Sequence, residues 1–192
     1  MKVLGVIIAG GKSSRMGQDK ALLIWRGKAL IAHVADRMLP QVDKLVINAN
    51  DDRFERLSFL VAKAGTAAEI EIIPDRLEIE SPVAGLHAAL TYAVEHGFQA
   101  VLSAPCDGPL LPGDLRRRLE GPCAAIACSA GQDHFLTGYW PVNSLPLTSR
   151  VRRVQDFAEA TKARRVAWEV KGRDPFINLN TPEDVARLSE NP

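Results

Sequence analysis

Cysteine is scarce: Cys106, Cys123 and Cys128 are odd in number and form no CxxC pair. That excludes both a disulfide framework and a tetrahedral zinc site as the source of the fold. An excess of one charge is also missing. Lys and Arg total 24 against 23 Asp and Glu, for a net charge of +1, so no global field draws nucleic acid or an anionic membrane, and anion binding must come from local placement of charge. Long apolar runs are absent. The first, Val3–Ala9, stops at a Gly-Gly pair, far short of the roughly 20 residues that span a bilayer. A basic segment, Lys12-Ser-Ser-Arg15, follows directly, so the run reads as the end of a strand rather than a signal peptide. The expected location is cytoplasmic. Aromatics make up 6%, and Trp25, Trp140 and Trp168 are too far apart to suggest a base-stacking series.

What is present is an ordinary globular composition, 46% hydrophobic and 24% charged over 192 residues, which buries enough surface to fold without staples. No repeat, low-complexity stretch or linker interrupts the chain, and residues 1–192 read as one domain. Val3–Ala9, Lys44–Ala49, Glu69–Ile73 and Ala100–Ser103 read as short, largely buried strands. Ala29–Leu39, Asp52–Ala64, Val83–His96 and Leu111–Leu119 carry helical spacing, with Pro40, Gly65 and Gly97 at helix stops. This alternation predicts an α/β three-layer sandwich with a mostly parallel, Rossmann-like sheet. Cys123–Ser129 and Phe135–Trp140 read as an antiparallel excursion. A helix over Val154–Thr161 and a strand near Arg165–Val170 follow. Asn180 or Thr181 caps a last helix that Pro182, Glu183 and Asp184 suit.

Chemistry concentrates in the loop after the first strand, Ile8-Ala-Gly-Gly-Lys-Ser-Ser-Arg-Met-Gly-Gln-Asp-Lys20. In a parallel α/β sheet, ligands bind beyond the carboxyl ends of the strands. Gly10, Gly11 and Gly17 let the backbone turn its N–H groups toward an anion. Lys12, Arg15 and Lys20 outweigh Asp19, a combination that suits a polyphosphate. Neither GxxxxGK(S/T) nor GxGxxG occurs here, because Gly10 and Gly11 are adjacent and Gln18 follows Gly17.

The stretch resembles the LAGG-x-S-x-RMG-x-DK signature of the nucleotidyltransferases related to sugar-nucleotide pyrophosphorylases. Among these it is most similar to the molybdenum cofactor guanylyltransferases. The resemblance implies a fold of the nucleotide-diphospho-sugar transferase type. It also implies an enzyme that transfers GMP from GTP to the terminal phosphate of molybdopterin, with or without molybdenum, releasing pyrophosphate and forming the guanine dinucleotide cofactor. It places Ile8, Ala9, Gly10 and Gly11 along the nucleotide and Lys20 at its phosphates, with Arg15 as a further catalytic cation. Asn48 falls on the family's nucleotide-contacting asparagine, while Asn50 either caps the next helix or joins it. Asp75 matches an aspartate near the base. Ser81-Pro-Val-Ala-Gly85 resembles the family's Gly-Pro-Leu-Ala-Gly, with Ser81 in place of the first glycine and Gly85 on the nucleotide side.

Ser103-Ala-Pro-Cys-Asp-Gly-Pro109 resembles the family's PCDTP. Asp107, at a strand end, can bind Mg²⁺ that neutralises triphosphate charge, and Cys106 beside it reads as a small filler. Asn178 and Asn180 match the closing Asn-x-Asn-Thr-Pro-Glu-Asp and face either the acceptor or, for Asn180, the helix cap. GTP and molybdopterin are the implied partners, with transient contact to cofactor-biosynthesis proteins or recipient molybdoenzymes, and no nucleic acid or membrane. Rival readings are a cytidylyltransferase making the cytosine dinucleotide, a sugar-phosphate nucleotidyltransferase, or a non-catalytic nucleotide-binding regulatory protein. His33, His87, His96 and His134 form no ligand pair and read as structural or surface residues. Arg116–Arg118 and Arg150–Arg153 read as solvated faces, the second also as a possible attractor for an anionic pterin phosphate.

Overall fold

The computed structural model describes residues 1–10, 20–50 and 70–190. The expected helix at Asp52–Ala64 and most of the first loop, including Gly11 and Arg15, lie outside the described residues.

β1 (Val3–Ile8) is buried along its whole length, which only a strand covered on both faces allows. It pairs in parallel with β4 (Lys44–Asn48) on one side and β6 (Ala100–Pro105) on the other, and β5 (Glu71–Ile73) extends the sheet beyond β4. Beyond β6 the direction reverses. β8 (Gln132–Pro141) runs antiparallel to both β6 and β7 (Ala125–Ser129), and β9 (Arg164–Trp168) is parallel to β7. The order is β5-β4-β1-β6-β8-β7-β9. The mostly parallel α/β sandwich and the antiparallel excursion are therefore both present. A small hairpin, β2 (Ile24–Trp25) and β3 (Lys28–Ala29), stands outside the main sheet.

The alternation of side chains divides the core. Val3 and Ile7 of β1, Leu45 and Ile47 of β4 and Leu102 of β6 face α1 (Leu30–Met38) through Ile31, Val34 and Met38. Leu4, Val6, Val46 and Val101 face α2 (Pro82–Glu95) through Val83, Leu86 and Leu90, with Phe157 from α5 (Val154–Ala160) on the same side. A strand's period of two makes this split unavoidable once both faces are covered.

Two expectations need correcting, and one element is additional. Leu111–Leu119 forms a helix only over α3 (Leu115–Leu119), because Pro112 disfavours the helical conformation at Leu111 and Gly113 weakens the turn that follows. The Arg116–Arg118 cluster is not a solvated face throughout. Arg116 donates to Met1 O, Gln41 O and Asp43, while Arg118 lies over Trp168 at 4.1 Å. A short helix, α4 (Leu145–Thr148), has no counterpart in the sequence expectations. α6 (Pro182–Glu190) closes the described chain. Its cap is Thr181, whose Oγ1 accepts from Asp184 N at 3.1 Å while Asp184 Oδ2 accepts from Asn180 N and Thr181 N. This reciprocal capping box leaves the side chain of Asn180 for another partner.

Candidate functional site

The parallel strands end in line. Ile8 pairs with Asn48 and with Pro105, and Asn48 pairs with Ile73. The ladder continues one residue further through Ala9 N to Asn48 O (2.9 Å), Ala49 N to Ile73 O (3.2 Å) and Cys106 N to Ile8 O (3.3 Å). Gly10, Asn50, Asp75 and Asp107 thus emerge together at one sheet edge, where strand order and helix coverage leave room for a ligand.

On the β4–β5 side, Asn48 is 1% exposed. Its Nδ2 donates to Ile73 O (3.3 Å) and Asp75 Oδ1 (2.9 Å). Asn50 Nδ2 donates to Asp75 Oδ2 (2.6 Å), and Asp75 N donates to Asn50 Oδ1 (2.8 Å). Two acceptors around Nδ2 settle which way the Asn48 amide points, so its Oδ1 faces away and has no partner among the described residues. Glycines surround that oxygen. A Cβ on Gly10 would sit 3.1 Å from it, and a Cβ on Gly85 would collide with it. Gly85 lies in the first turns of α2, and its missing side chain is the space that Asn48 occupies. Ser81 starts this helix as expected, accepting from Val83 N at 3.2 Å, and its Oγ also donates to Arg152 O at 2.5 Å. The hydroxyl that replaces glycine here thus ties the helix start to the Arg150–Arg153 segment.

On the β6 side, Lys20 opens a 3₁₀ turn (Lys20–Leu22) and its Nζ donates to Asn180 Oδ1 at 2.5 Å. Asp107 O accepts from Leu179 N at 2.9 Å. Leu179 is fully buried among Trp25, Leu30 and Leu188, so the flanking Asn178 and Asn180 turn the other way, and both are exposed. Asn178 Oδ1 lies 3.6 Å from where a Cβ of Gly108 would stand. Among the described residues, Asp107 Oδ1 is buried with no partner. Burial pushes its carboxyl above the usual range, and the Lys20 ammonium pulls it partly back. A buried, unpaired carboxylate oxygen beside a cation is costly for the fold alone.

The structure therefore joins Ile8, Ala9, Gly10, Asn48, Asp75 and Gly85 into one group, and Lys20, Asp107, Asn178 and Asn180 into another. β4 and β6 flank β1, so the groups stand two strand spacings apart, roughly 10 Å. Ile8 and Ala9 are 4% and 5% exposed, so only their backbone can line the site. Asp75 already accepts from two asparagines, leaving each oxygen one free lone pair. The tryptophans pack, with Trp140 Nε1 on Ser103 Oγ at 2.8 Å and Trp168 Nε1 on Asp114 at 3.1 Å. His33 and His96 bond backbone carbonyls and His87 bonds Thr148, all in the structural role expected.

Sequence reasoning missed one polar cluster. Ser129, His134 and Asp174 meet at the same edge, Ser129 Oγ lying 2.7 Å from His134 Nε2 and 2.8 Å from Asp174 Oδ1. The hairpin spacing of Ser129 and His134 was the available signal; nothing local points to Asp174.

Comparison with known proteins identifies the family and the fold. The family model described as "MobA-like NTP transferase domain" matches residues 5–170. The chain is 36% identical to a molybdenum cofactor guanylyltransferase of a Bradyrhizobium strain, covering 96% of this chain and 90% of that one. It is 37% identical to one from Cereibacter sphaeroides, covering 97% and 95%. The crystal structure of molybdopterin-guanine dinucleotide biosynthesis protein A from Archaeoglobus fulgidus superposes with a TM-score of 0.71 at 23% identity, covering 98% and 97%, and that likeness carries the fold. The chain belongs to the MobA-like NTP transferase domain family and is a nucleotidyltransferase related to the molybdenum cofactor guanylyltransferases.

Proposed function

We propose that the chain transfers GMP from GTP to the terminal phosphate of molybdopterin, releasing pyrophosphate and leaving molybdopterin guanine dinucleotide. The observation that carries this is the convergence of Lys20, Asp107 and Asn180 at the sheet edge, two strands from the Asn48–Asp75 pair. A nucleotide laid along that edge puts its base over β4–β5 and its phosphates over β6.

Around the base, the spare lone pairs of Asp75 are acceptors, the type that the N1–H and exocyclic amine of guanine need, while the Asn48 acceptor Oδ1 is buried behind them. Gly10 and Gly85 leave backbone rather than side chain beside that acceptor. At the phosphates, Lys20 supplies a cation, and Gly11 and Arg15 are assigned to the same wall. Asp107 would hold a divalent cation, Mg²⁺. Its buried oxygen without a partner fits the group, since Mg²⁺ takes one or two protein carboxylates and fills its other positions with phosphate oxygens and water. Bound there, Mg²⁺ neutralises charge on the triphosphate.

The acceptor phosphate is already a nucleophile, so this chain's task is alignment and charge neutralisation without a covalent enzyme intermediate. An acceptor oxygen bonds to the α-phosphorus while the α–β bridge breaks and pyrophosphate leaves. Asn178 and Asn180, flanking the Leu179 whose N–H bonds Asp107 O, are assigned to hold the acceptor. Residues 1–192 act as one nucleotidyltransferase domain in the cytoplasm, meeting cofactor-biosynthesis proteins or recipient molybdoenzymes transiently. No described helix is long and apolar enough to cross a membrane.

The test is pyrophosphate release with Mg²⁺ across GTP, CTP, ATP and UTP, with and without molybdopterin. Release with GTP that requires molybdopterin supports the proposal. Preference for CTP, or a requirement for a sugar phosphate, replaces it with the corresponding transferase, and binding without release under every acceptor replaces it with a regulatory role.

A further inference from the structure

Ser129, His134 and Asp174 come from three separate segments, yet they share one face of the sheet. β7 and β8 join through Ala130 and Gly131, both at positive φ (47° and 77°). Ser129 pairs with Gln132 and Ala127 with His134, so Ser129 and His134 are diagonal neighbours on one face. Between Ile126 and Ala127 the register jumps from Gly138 to His134, an irregularity held where Ser103 Oγ donates to Leu136 O at 2.8 Å. His134 lies on the turn side of that irregularity, so the two-residue turn sets it opposite Ala127 and diagonal to Ser129. Trp168, opposite Ser129 on β9, belongs to the same face.

Proton counting orders the three groups. Asp174 as a carboxylate only accepts, so the single Ser129 proton goes to it, at 2.8 and 2.7 Å from the two oxygens. The Ser129 oxygen then has only lone pairs left, and His134 Nε2 at 2.7 Å must be the donor. The hydrogen bonds run in one direction: His134 to Ser129 to Asp174. Ser129 is 2% exposed, so water cannot readily replace either partner. Burial holds the His134 pKa below its ordinary value, against the opposing pull of Asp174 and Asp133, which favours the neutral imidazole with its proton on Nε2.

The far end of this chain of bonds is the segment that carries the two asparagines. Asp174 Oδ1 accepts from Phe176 N at 2.9 Å, fixing the turn. The Phe176 ring stacks on His134 (centroids 4.8 Å) and meets Trp168 edge-on at 5.2 Å. His134 thus grips the segment twice, by its face and through the hydroxyl. Three residues on, Leu179 is locked into its own cluster and onto Asp107 O. Residues 174–179 are pinned at both ends, with Asn178 between the pins and Asn180 one residue past the second.

We propose that His134, through Ser129 and Asp174, is the positioning residue for the acceptor side of the site, setting where Asn178 and Asn180 stand relative to Asp107. This rests on the assignment of those asparagines to the acceptor. It requires no contact between His134 and either substrate.

The experiment is steady-state kinetics with GTP and molybdopterin on His134→Phe, His134→Gln and the Asn178→Ala/Asn180→Ala double variant, alone and combined. Phe keeps the ring against Phe176 and removes the donor, whereas Gln can donate from its amide at the Nε2 position. His134→Phe should raise KM for molybdopterin about tenfold, the effect of one buried hydrogen bond, with KM for GTP unchanged. His134→Gln should recover most of the loss. In the double-alanine background the Phe substitution should add nothing further. An unchanged molybdopterin KM in His134→Phe, or an equal loss toward GTP, overturns the positioning role. If the double-alanine variant itself leaves molybdopterin KM untouched, the acceptor assignment fails instead. The unsubstituted protein offers a check independent of any variant's folding: imidazole ¹⁵N spectra should show His134 protonated on Nε2 and bare on Nδ1. The opposite tautomer overturns the hydrogen-bond order.

Discussion

Asp107→Asn should make the protein more stable and nearly inactive. Among the described residues Asp107 Oδ1 is buried without a partner, and burial raises its pKa while Lys20 only partly compensates. Folding therefore disfavours the charged form. The cost is full at neutral pH, shrinks as pH falls through the raised native value and vanishes below the ordinary 3.8. A neutral amide of the same shape relieves it. An unsatisfied buried group costs about 1–3 kcal/mol, and removing its charge should return about 1 kcal/mol, or roughly 2–4 °C in Tm for a chain of this size. Losing the carboxylate should meanwhile cut transfer by roughly a hundred- to a thousandfold, the scale seen when a preorganised electrostatic group is removed. Calorimetry at pH 7 and near pH 4 gives the first quantity, with the gain in Tm shrinking at the lower pH. Pyrophosphate release gives the second, and Mg²⁺ with GTP should raise Tm in the parent more than in the variant. A variant that melts lower at pH 7, or that turns over near normally, refutes the reasoning.

Gly85→Ala gains helix propensity of about 1 kcal/mol but drives a methyl group into Asn48; KM for GTP should rise at least tenfold in the same release assay. Lys20→Met breaks the bond to Asn180 and removes the cation that lowers the Asp107 pKa, so the acid limb of the pH–rate profile should move to higher pH as transfer falls. Thr181→Ala removes the acceptor for Asp184 N and should cost about 1 kcal/mol in urea denaturation. Asp43 is held low by the Val3 N–H and then by Arg116, so it stabilises the fold above its ordinary pKa and loses that effect as pH falls through its native value. Asp43→Asn should accordingly destabilise at pH 7 and matter little near pH 2, by denaturant titration at each pH.

The parallel half of the sheet was legible because β1 and β6 are buried on both faces and read as unbroken apolar runs. Gly10, Asp75 and Asp107 were legible as candidates because each follows a strand closely, so sheet topology carries them to one edge. Leu111–Leu119 misled because its leucines have helical spacing while Pro112 disfavours the helical conformation at Leu111 and Gly113 weakens the next turn. Asn180 was ambiguous for a different reason: capping box and site draw on the same residues, and only the Asp184 contacts show that Thr181 takes the cap. Asn48 was found, but the gap at Gly85 that receives it was not, since a helix and a strand end meet only in three dimensions. The His134–Ser129–Asp174 chain was out of reach because its last member lies 45 positions from Ser129. Arg116 likewise bonds to Met1 across 115 positions.

Labelled GTP tests the central claim most directly. With Mg²⁺, molybdopterin and GTP carrying ³²P at the α-position, the label should appear in a pterin dinucleotide, and label placed at the γ-position should appear only in pyrophosphate. Transfer of the γ-label to the pterin, or incorporation from α-labelled CTP in preference to GTP, would contradict it.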